Sequence, residues 1–452
     1  MDEPVTRVMV TNRRPCDRIN HGGADAAVRR KFPFLHIQEY IMPVAPHIRE
    51  QLAGSSVIRK MFEEGIQMKA RFGADAVYDF SIGNPDLEPP GKVHTVLASI
   101  ASSVQRGLHG YMPNAGYPET RKAMARKVSL EQGVAVDFSH IVMGCGAAGA
   151  MNSVFKAVLS PGDSVLVPAP FFAEYVHYAR NHGGILKPVP SKEDFSLDID
   201  AISAALDATT AAIIINSPNN PSGKVYTSEE LASLAAALES HRAKTGRTVL
   251  IVADEPYREI VYDGNTVAPI FPLWPAAVVV SSFAKNLSLP GERIGYAAIN
   301  PACPDAKDMI DAIIFATRIL GYVNAPATFQ RIAAECWDEP VDYSSYRNRR
   351  NELAAILDSA GISYFKPEGA FYLFCKVPPK SGTTAEIELS DSEFCEHMKK
   401  YHILGVPGAG FGRKGWFRLA YCAAPDMIAR SAEAFRNAVA DWKNGKSMED
   451  RS

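Results

Sequence analysis

The chain has 452 residues, of which 47% are hydrophobic and 22% are charged, and its 48 basic and 50 acidic side chains give a formal net charge of −2. The length predicts two or three domains, and the composition is globular, which excludes a disordered, collagen-like or coiled-coil chain. The balanced charge provides no global positive field that would attract nucleic acid or an anionic membrane. We therefore expect small-molecule partners.

Cysteine usage and apolar segments bear on the compartment. The seven cysteines are scattered, without a C-x-x-C pair or a nearby histidine cluster (Cys16, Cys145, Cys303, Cys336, Cys375, Cys395 and Cys422). This pattern favours reduced thiols and predicts no structural zinc site. No stretch reaches the roughly eighteen apolar residues of a membrane span, and the first twenty residues lack the apolar region of a signal peptide. We predict a soluble cytoplasmic protein.

The sequence pattern changes twice between residues 1 and 300. Residues 1–45 mix charge, proline and glycine without periodicity, which predicts a poorly ordered arm or a segment that packs on a partner subunit. Apolar residues at helical spacing from Val57 to Ala70 then predict a helix, with Ser55 and Ser56 as caps. From about 140 to 300, six short β-branched runs alternate with helical segments, which is typical of a largely parallel sheet covered on both faces.

The last part of the chain has a different pattern. A helical stretch, SSYRNRRNELAAILDSAG, precedes the strand-like AFYLFCKV and WFRLAYCA, and a closing helix is predicted from Asp426 to Trp442. This order predicts a smaller α+β domain, completed by residues before 80. The predicted organisation is an arm at 1–45, the first part of the small domain at 46–82, a large domain at 83–325 and the rest of the small domain at 326–452.

Three apolar strands of the central region run directly into polar residues. AAIIINS leads to Asn220, TVLIVA to Asp254 and AVVVSS to Lys285, and ligands of open α/β sheets bind at the carboxyl ends of strands. A carboxylate after such a strand needs a cation or several donors to stay charged, and a partly desolvated lysine can form Schiff bases. An aldehyde cofactor with a pyridinium nitrogen would satisfy both. The alternative is a structural ion pair of Asp254 with Lys285 or Arg293.

A loop rich in small residues, GCGAAGAMN, joins the strand HIVM to a predicted helix. Small residues at such a turn let backbone N–H groups approach a phosphate, and the start of a helix favours an anion. The loop is not the dinucleotide fingerprint, because Gly149 is out of place. Close packing of the helix on the strand is the alternative interpretation.

Taken together, nine motifs in order resemble those of the class I/II aminotransferases, pyridoxal-phosphate enzymes with the aspartate-aminotransferase fold. They are SIGNPD, GYMPNAGYPETRKAM, GCGAAGAMN, PAPFFAEY, NSPNNPSG, DEPY, SSFAKN followed by LPGERIGY, EGAFYLF and GFGRKGWFRLAYC. The resemblance extends from about Ser56 to the carboxyl terminus. It implies an α/β large domain with a mostly parallel, seven-stranded sheet between helices, a smaller α+β domain formed by the N- and C-terminal parts, and pyridoxal 5'-phosphate as cofactor.

The resemblance also implies roles for individual residues. Lys285 would hold the cofactor as an internal aldimine and move the α-proton, while Asp254 would keep the pyridine nitrogen protonated. Tyr257 and Asn220 would bind the phenolic oxygen of the ring. The other implied cofactor contacts are Ser282, Arg293, Gly146, Ala147 and Ala148 at the phosphate, Phe172 stacked on the ring, and Tyr111, which would reach the phosphate of the neighbouring subunit in a homodimer.

For the substrate, the resemblance implies that Arg418 binds the α-carboxylate through its planar fork, with Asn220 and Gly83 beside it. Ile319 stands where relatives specific for acidic substrates supply a second arginine, so Arg318, one place away, is the candidate for an anionic side chain. Alternatively, Gly83 is a turn residue, and Tyr111 and Phe172 are ordinary packed aromatics.

The first hypothesis for the reaction is transamination between an L-amino acid and a 2-oxo acid. The alternative is β- or γ-elimination, replacement or carbon–carbon bond formation, as aminocyclopropane-carboxylate-synthase-like relatives perform with S-adenosylmethionine. A third hypothesis is a DNA-binding regulator that retains the fold, which the short, unpatterned arm and the net charge of −2 disfavour.

Overall fold

The structure is a computed structural model that describes residues 44–53, 57–380 and 390–445. Nearly all of the predicted arm at 1–45 lies outside these residues, as do the predicted cap residues Ser55 and Ser56. In the first compact unit, which ends at Ser55, the described residues form helix α1 (Pro46–Ala53). The other elements that the structure describes belong to the second unit, 56–452.

The second unit combines helices and strands along its whole length. Its helices are α2 (Val57–Phe72), α3 (Gly91–Ser102), α4 (Pro118–Gln132), α5 (Gly146–Val158), α6 (Tyr175–Arg180), α7 (Ile199–Ala205), α8 (Ser228–Thr245), α9 (Ala306–Ile319), α10 (Ala327–Cys336), α11 (Ser344–Ala360), α12 (Asp391–Lys399), α13 (Pro425–Arg430) and α14 (Ala432–Asn444). Its strands are β1 (Tyr78–Asp79), β2 (Ile141–Cys145), β3 (Ser164–Ala169), β4 (Ile185–Pro190), β5 (Thr210–Asn216), β6 (Leu250–Asp254), β7 (Ala277–Ser282), β8 (Ile294–Ile299), β9 (Tyr364–Phe365), β10 (Tyr372–Lys376), β11 (Ile403–Leu404), β12 (Val406–Pro407) and β13 (Trp416–Ala420). None of the described helices combines the length and hydrophobicity needed to cross a membrane.

Within the described residues, seven strands form the main sheet in the order β2-β8-β7-β6-β5-β3-β4. Strand β8 is antiparallel to both neighbours, and the other pairs are parallel. Successive residues of a strand point to opposite faces, and here both faces are buried: Ile213 and Ile251 belong to one apolar cluster, and Ile214 and Val252 to another. The mostly parallel seven-stranded sheet between helices is confirmed.

A smaller set of strands joins residues 78–79 to the C-terminal part of the chain. Strands β12, β13, β10 and β9 form an antiparallel sheet in that order, and β1 pairs in parallel with β11. Residues before 80 therefore pair with the C-terminal part, as Tyr78 does with Ile403. The smaller strand-containing part is confirmed, while domain boundaries at 82/83 and 325/326 stay predictions.

Two elements differ from the sequence-based expectations. The run Ile185–Pro190 forms strand β4, which the apolar pattern did not indicate because Lys187, Pro188 and Pro190 interrupt it. Proline is tolerated there because β4 is an edge strand. The single closing helix expected from Asp426 to Trp442 is wrong: two helices, α13 and α14, meet at Ser431, whose N–H is shared between two carbonyl groups of the preceding turn.

Candidate active site

Strand direction brings the polar residues of the predicted site to one edge of the sheet. Strands β5, β6 and β7 are parallel, so their last residues, Asn216, Asp254 and Ser282, lie at the same edge of the sheet. Because β8 runs the opposite way, it begins at this edge, immediately after Arg293. Strand β2 is antiparallel to β8, and helix α5 therefore starts at the same edge with Gly146.

A cavity of about 320 Å³ lies at this edge. Most of the predicted site residues line it, namely Gly83, Ala147, Ala148, Phe172, Asn220, Asp254, Tyr257, Ser282, Lys285, Arg293 and Arg418. Gly146 is buried at the first turn of α5, beside them. Tyr111 and Arg318 are exposed and are not among the residues that line the cavity.

Asp254 is buried at the end of β6 and has one free oxygen. Its Oδ2 accepts a hydrogen bond of 2.5 Å from the Tyr175 hydroxyl, and its Oδ1 has no partner among the described residues. Burial raises the pKa of Asp254 to about 6, although the Tyr175 hydrogen bond acts in the opposite direction. The alternative of an ion pair is not supported, because Lys285 donates to the carbonyl of Gly83 and Arg293 to that of Pro290.

Lys285 presents a poorly hydrated amine to the cavity. Its Nζ lies 2.8 Å from the Gly83 carbonyl oxygen and 5.4 Å from the centroid of the Phe371 ring. Burial, with a smaller contribution from the positive charges of Arg418 and Arg293, lowers the pKa of Lys285 to about 8. At pH 7 about a tenth of such amines are neutral, several hundred-fold more than for an ordinary lysine. This state suits a nucleophile or a base.

Arg418 is held rigidly on β13 and is 2% exposed. Its Nη1 donates to Asn220 Oδ1 at 3.1 Å, its Nη2 donates to the Ser81 carbonyl at 2.7 Å, and the rings of Tyr372 and Phe411 lie within 5 Å of the guanidinium carbon. Its Nε has no partner in the described part of the chain. A buried cation with unused donors matches the planar, bidentate geometry of a carboxylate.

The start of α5 is shaped for an anion. Gly146 has φ +71°, and a Cβ built there would lie 2.8 Å from Arg293 Nη2, so glycine permits the close approach of the guanidinium. The N–H groups of the first helical turn have no partners within the helix, and those of Ala147 and Ala148 belong to this turn at the cavity wall.

Together these groups fit pyridoxal phosphate. The free Oδ1 of Asp254 is suited to a protonated ring nitrogen, the Lys285 amine to the aldehyde, and the start of α5 with Arg293 to the phosphate. Arg418 is not needed by the cofactor, and its unpartnered donor is suited to the carboxylate of an amino acid.

Among the cavity residues that the sequence reasoning missed, two lie inside quoted motifs and form hydrogen bonds with the side chains of predicted site residues. Tyr175 in PAPFFAEY bonds Asp254, and Tyr372 in EGAFYLF bonds the Tyr257 hydroxyl at 2.9 Å. The available signals were a second aromatic residue three positions after Phe172, and a hydroxyl inside an otherwise apolar buried strand, where it needs a partner.

Comparison with known proteins agrees with this geometry. The family model for aminotransferase class I and II matches residues 75–435. The probable aspartate/prephenate aminotransferase of Aquifex aeolicus is 31% identical over 382 residues, covering 81% of this chain and 92% of the relative. Among solved structures, an aminotransferase from Eubacterium rectale is 37% identical with a TM-score of 0.83, covering 89% of this chain and 100% of that one.

The aspartate aminotransferase of Thermus thermophilus, solved with maleate, is 26% identical with a TM-score of 0.75 and covers 85% of this chain and 97% of its own. The family model spans well over half of the chain. Pyridoxal phosphate is the cofactor of this family. The chain belongs to the class I and II aminotransferases and is a pyridoxal-phosphate-dependent transferase.

Proposed function

We propose that this enzyme moves the amino group of an L-amino acid to a 2-oxo acid, and that Lys285 both binds the cofactor covalently and transfers the proton at Cα. The observation that supports this most directly is one cavity lined by the low-pKa amine of Lys285, the free oxygen of Asp254 and the unpartnered donor of Arg418. These three groups match the aldehyde, the ring nitrogen and the substrate carboxylate.

The residues around the ring would control protonation. When bound, pyridoxal phosphate supplies an electron sink for the electron pair left at Cα. Asp254 would keep the ring nitrogen protonated, and Tyr175 would hold the orientation of the carboxylate through its hydrogen bond. Tyr257 and Asn220 would donate to the phenolic oxygen of the ring.

The phosphate and the ring face involve a second group of residues. Ser282 and Arg293 would bind the phosphate with the first turn of α5, where Gly146, Ala147 and Ala148 have no side-chain hydroxyl or amide to contribute. Backbone N–H groups would therefore provide much of the binding. Phe172 would stack on the ring.

On the substrate side, Arg418 would bind the α-carboxylate, with Asn220 and Gly83 beside it. The Lys285 amine, which already approaches the Gly83 carbonyl, would remove the proton at Cα and return it. Relatives are named for aspartate and prephenate, and Arg318 is our candidate for contacting an anionic side chain. Since Arg318 is exposed in the single chain, such a contact would require a neighbouring subunit.

We further propose a homodimer in a reducing, cytoplasmic compartment. Large apolar side chains are exposed in the single chain, among them Tyr111 (95%), Val104 (100%) and Phe315 (60%), and such exposure favours a protein interface. The six described cysteines are free thiols, which supports the reducing compartment.

The assignment of Lys285 is tested by Lys285→Ala. We expect this variant to fold and to lose the visible absorption of the lysine-bound cofactor, because no amine would remain for covalent attachment. Absorbance and borohydride reduction followed by peptide mass spectrometry measure this. A reduced adduct on another lysine with unchanged turnover would overturn the assignment.

Elimination or replacement chemistry, the alternative reaction, is not favoured, because the relatives compared above are named as aminotransferases.

A further inference from the structure

Tyr372 occupies a position between the proposed cofactor and substrate contacts. It is 2% exposed, lies on β10 and lines the cavity. Strand β10 pairs with β13 so that Phe374 is opposite Arg418. Tyr372, two residues from Phe374, is on the same face of the sheet, and it is thus the diagonal cross-strand neighbour of Arg418.

Tyr372 contacts three residues that have proposed roles in the site. Its hydroxyl oxygen is 2.9 Å from that of Tyr257, and the centroid of its ring is 4.6 Å from the guanidinium carbon of Arg418. The hydroxyl also fills the space beside Gly83, where an added Cβ would lie 2.0 Å from it. Gly83 in turn accepts the hydrogen bond from Lys285.

The hydroxyl pair can be arranged in two ways, because only one of the two hydrogens lies between the oxygens. If Tyr257 donates to Tyr372, the hydrogen of Tyr257 is used and cannot reach a third group. If Tyr372 donates, Tyr257 keeps its own hydrogen for another acceptor and becomes a stronger donor, since linked hydrogen bonds polarise one another.

We propose that Tyr372 is a positioning residue with two separable functions. Its hydroxyl donates to Tyr257 and so directs the hydrogen of Tyr257 toward the phenolic oxygen of the cofactor, and its ring fixes the plane of the Arg418 guanidinium for the substrate carboxylate. This proposal rests on the proposed roles of Tyr257 and Arg418.

The two functions predict different effects for two variants. Tyr372→Phe keeps the ring and removes the hydroxyl, which weakens donation from Tyr257 to the phenolate oxygen. The pKa of the lysine-bound chromophore should rise by roughly half a unit, with the half-saturating amino-acid concentration within about twofold of wild type. Tyr372→Leu also removes the ring, and half-saturation should rise roughly 5- to 30-fold, the range of a desolvated cation–π contact.

The experiment measures holoenzyme absorbance against pH, together with spectral titration by L-aspartate and L-phenylalanine, using whichever converts the wild-type chromophore. Tyr421→Phe is the matched control, because Tyr421 is equally buried and donates to the Ala370 carbonyl at 3.2 Å but does not line the cavity. It should leave both quantities unchanged. Tyr257→Phe is measured in parallel to test the residue through which Tyr372 is proposed to act.

We expect the chromophore pKa to rise in both Tyr257→Phe and Tyr372→Phe. A rise in Tyr257→Phe alone would overturn the hydroxyl function of Tyr372 and leave the role of Tyr257 intact. No rise in either variant would overturn both, and a rise in Tyr372→Phe alone would show that its hydroxyl does not act through Tyr257. Unchanged half-saturation in Tyr372→Leu would overturn the ring function.

Discussion

Asp254 and Arg418 are buried and Lys285 is partly buried, in an arrangement that is unfavourable without a ligand. Asp254 and Arg418 each have an unpartnered polar atom. The pKa of Asp254 is raised and that of Lys285 is lowered, and both shifts favour the neutral form of the side chain. Each unsatisfied buried group costs about 1–3 kcal/mol. A ligand that pairs them recovers part of this cost, which is why these residues indicate a binding site and not only a core.

The lowered pKa of Lys285 predicts how cofactor attachment depends on pH. Only the neutral amine attacks an aldehyde, so the attachment rate of apoenzyme should rise about tenfold per pH unit below 8 and level off above about 8. Stopped-flow absorbance after mixing apoenzyme with pyridoxal phosphate measures this rate. The rate of attachment to Nα-acetyl-lysine, whose side-chain amine is free, is measured under the same conditions to correct for ionisation of the cofactor. A rate that still rises through pH 10 would mean that burial does not lower the pKa of this amine.

At the scale of elements, the contact between β8 and the start of α5 determines where the phosphate would bind. A Cβ on Gly295 would lie 2.5 Å from the Ser281 carbonyl oxygen and 2.9 Å from the backbone nitrogen of Ala147. Both atoms belong to backbone that cannot rotate away. Gly295→Ala must therefore displace the backbone of β7, the first turn of α5 or both.

We predict that Gly295→Ala lowers the free energy of unfolding by about 1–3 kcal/mol, as overpacking does, and raises the Kd for pyridoxal phosphate at least about tenfold. Denaturant unfolding of the apoenzyme and titration with the cofactor measure the two quantities. Gly291→Ala is the control, because a Cβ there meets nothing within 4 Å. Equal cofactor affinity in both variants would contradict the role given to this contact.

Elements were predictable from sequence where local pattern determines structure. Five apolar residues before Asp254 identified β6 because both faces of a central strand are buried. The same rule failed for β4, an edge strand whose exposed positions are Ile185, Pro188 and Pro190. The partners of Tyr175 and Tyr372 lie 79 and 115 residues away, so no local pattern could identify those hydrogen bonds. The motifs identified most of the residues that line the cavity. The hydrogen bonds that orient these side chains could be identified only from the folded structure.

At the scale of the whole molecule, the position of Tyr111 bears on assembly. Its side chain is 95% exposed in the single chain, which is unusual for a tyrosine, and it lies in the motif GYMPNAGYPETRKAM, which resembles that of the family. If Tyr111 reaches the phosphate of a neighbouring subunit, Tyr111→Phe should raise the cofactor Kd by about tenfold or more through loss of a charged hydrogen bond, without dissociating the dimer.

Sedimentation velocity measures the oligomeric state, and cofactor titration measures the Kd for pyridoxal phosphate. Tyr364→Phe, which removes a hydroxyl that donates to Asp358 and does not line the cavity, should change neither quantity. A monomeric holoenzyme, or normal cofactor affinity in Tyr111→Phe, would contradict a site shared between subunits.

The central claim is transamination in the cavity that Lys285, Asp254 and Arg418 line. Spectral titration of the holoenzyme with single amino acids and with S-adenosylmethionine, followed by mass spectrometry of the products, tests it most directly. We predict that an amino acid converts the cofactor stoichiometrically to its amino form and releases one equivalent of the matching 2-oxo acid. Loss of a leaving group from the substrate, without transfer of the amino group to the cofactor, would contradict the account.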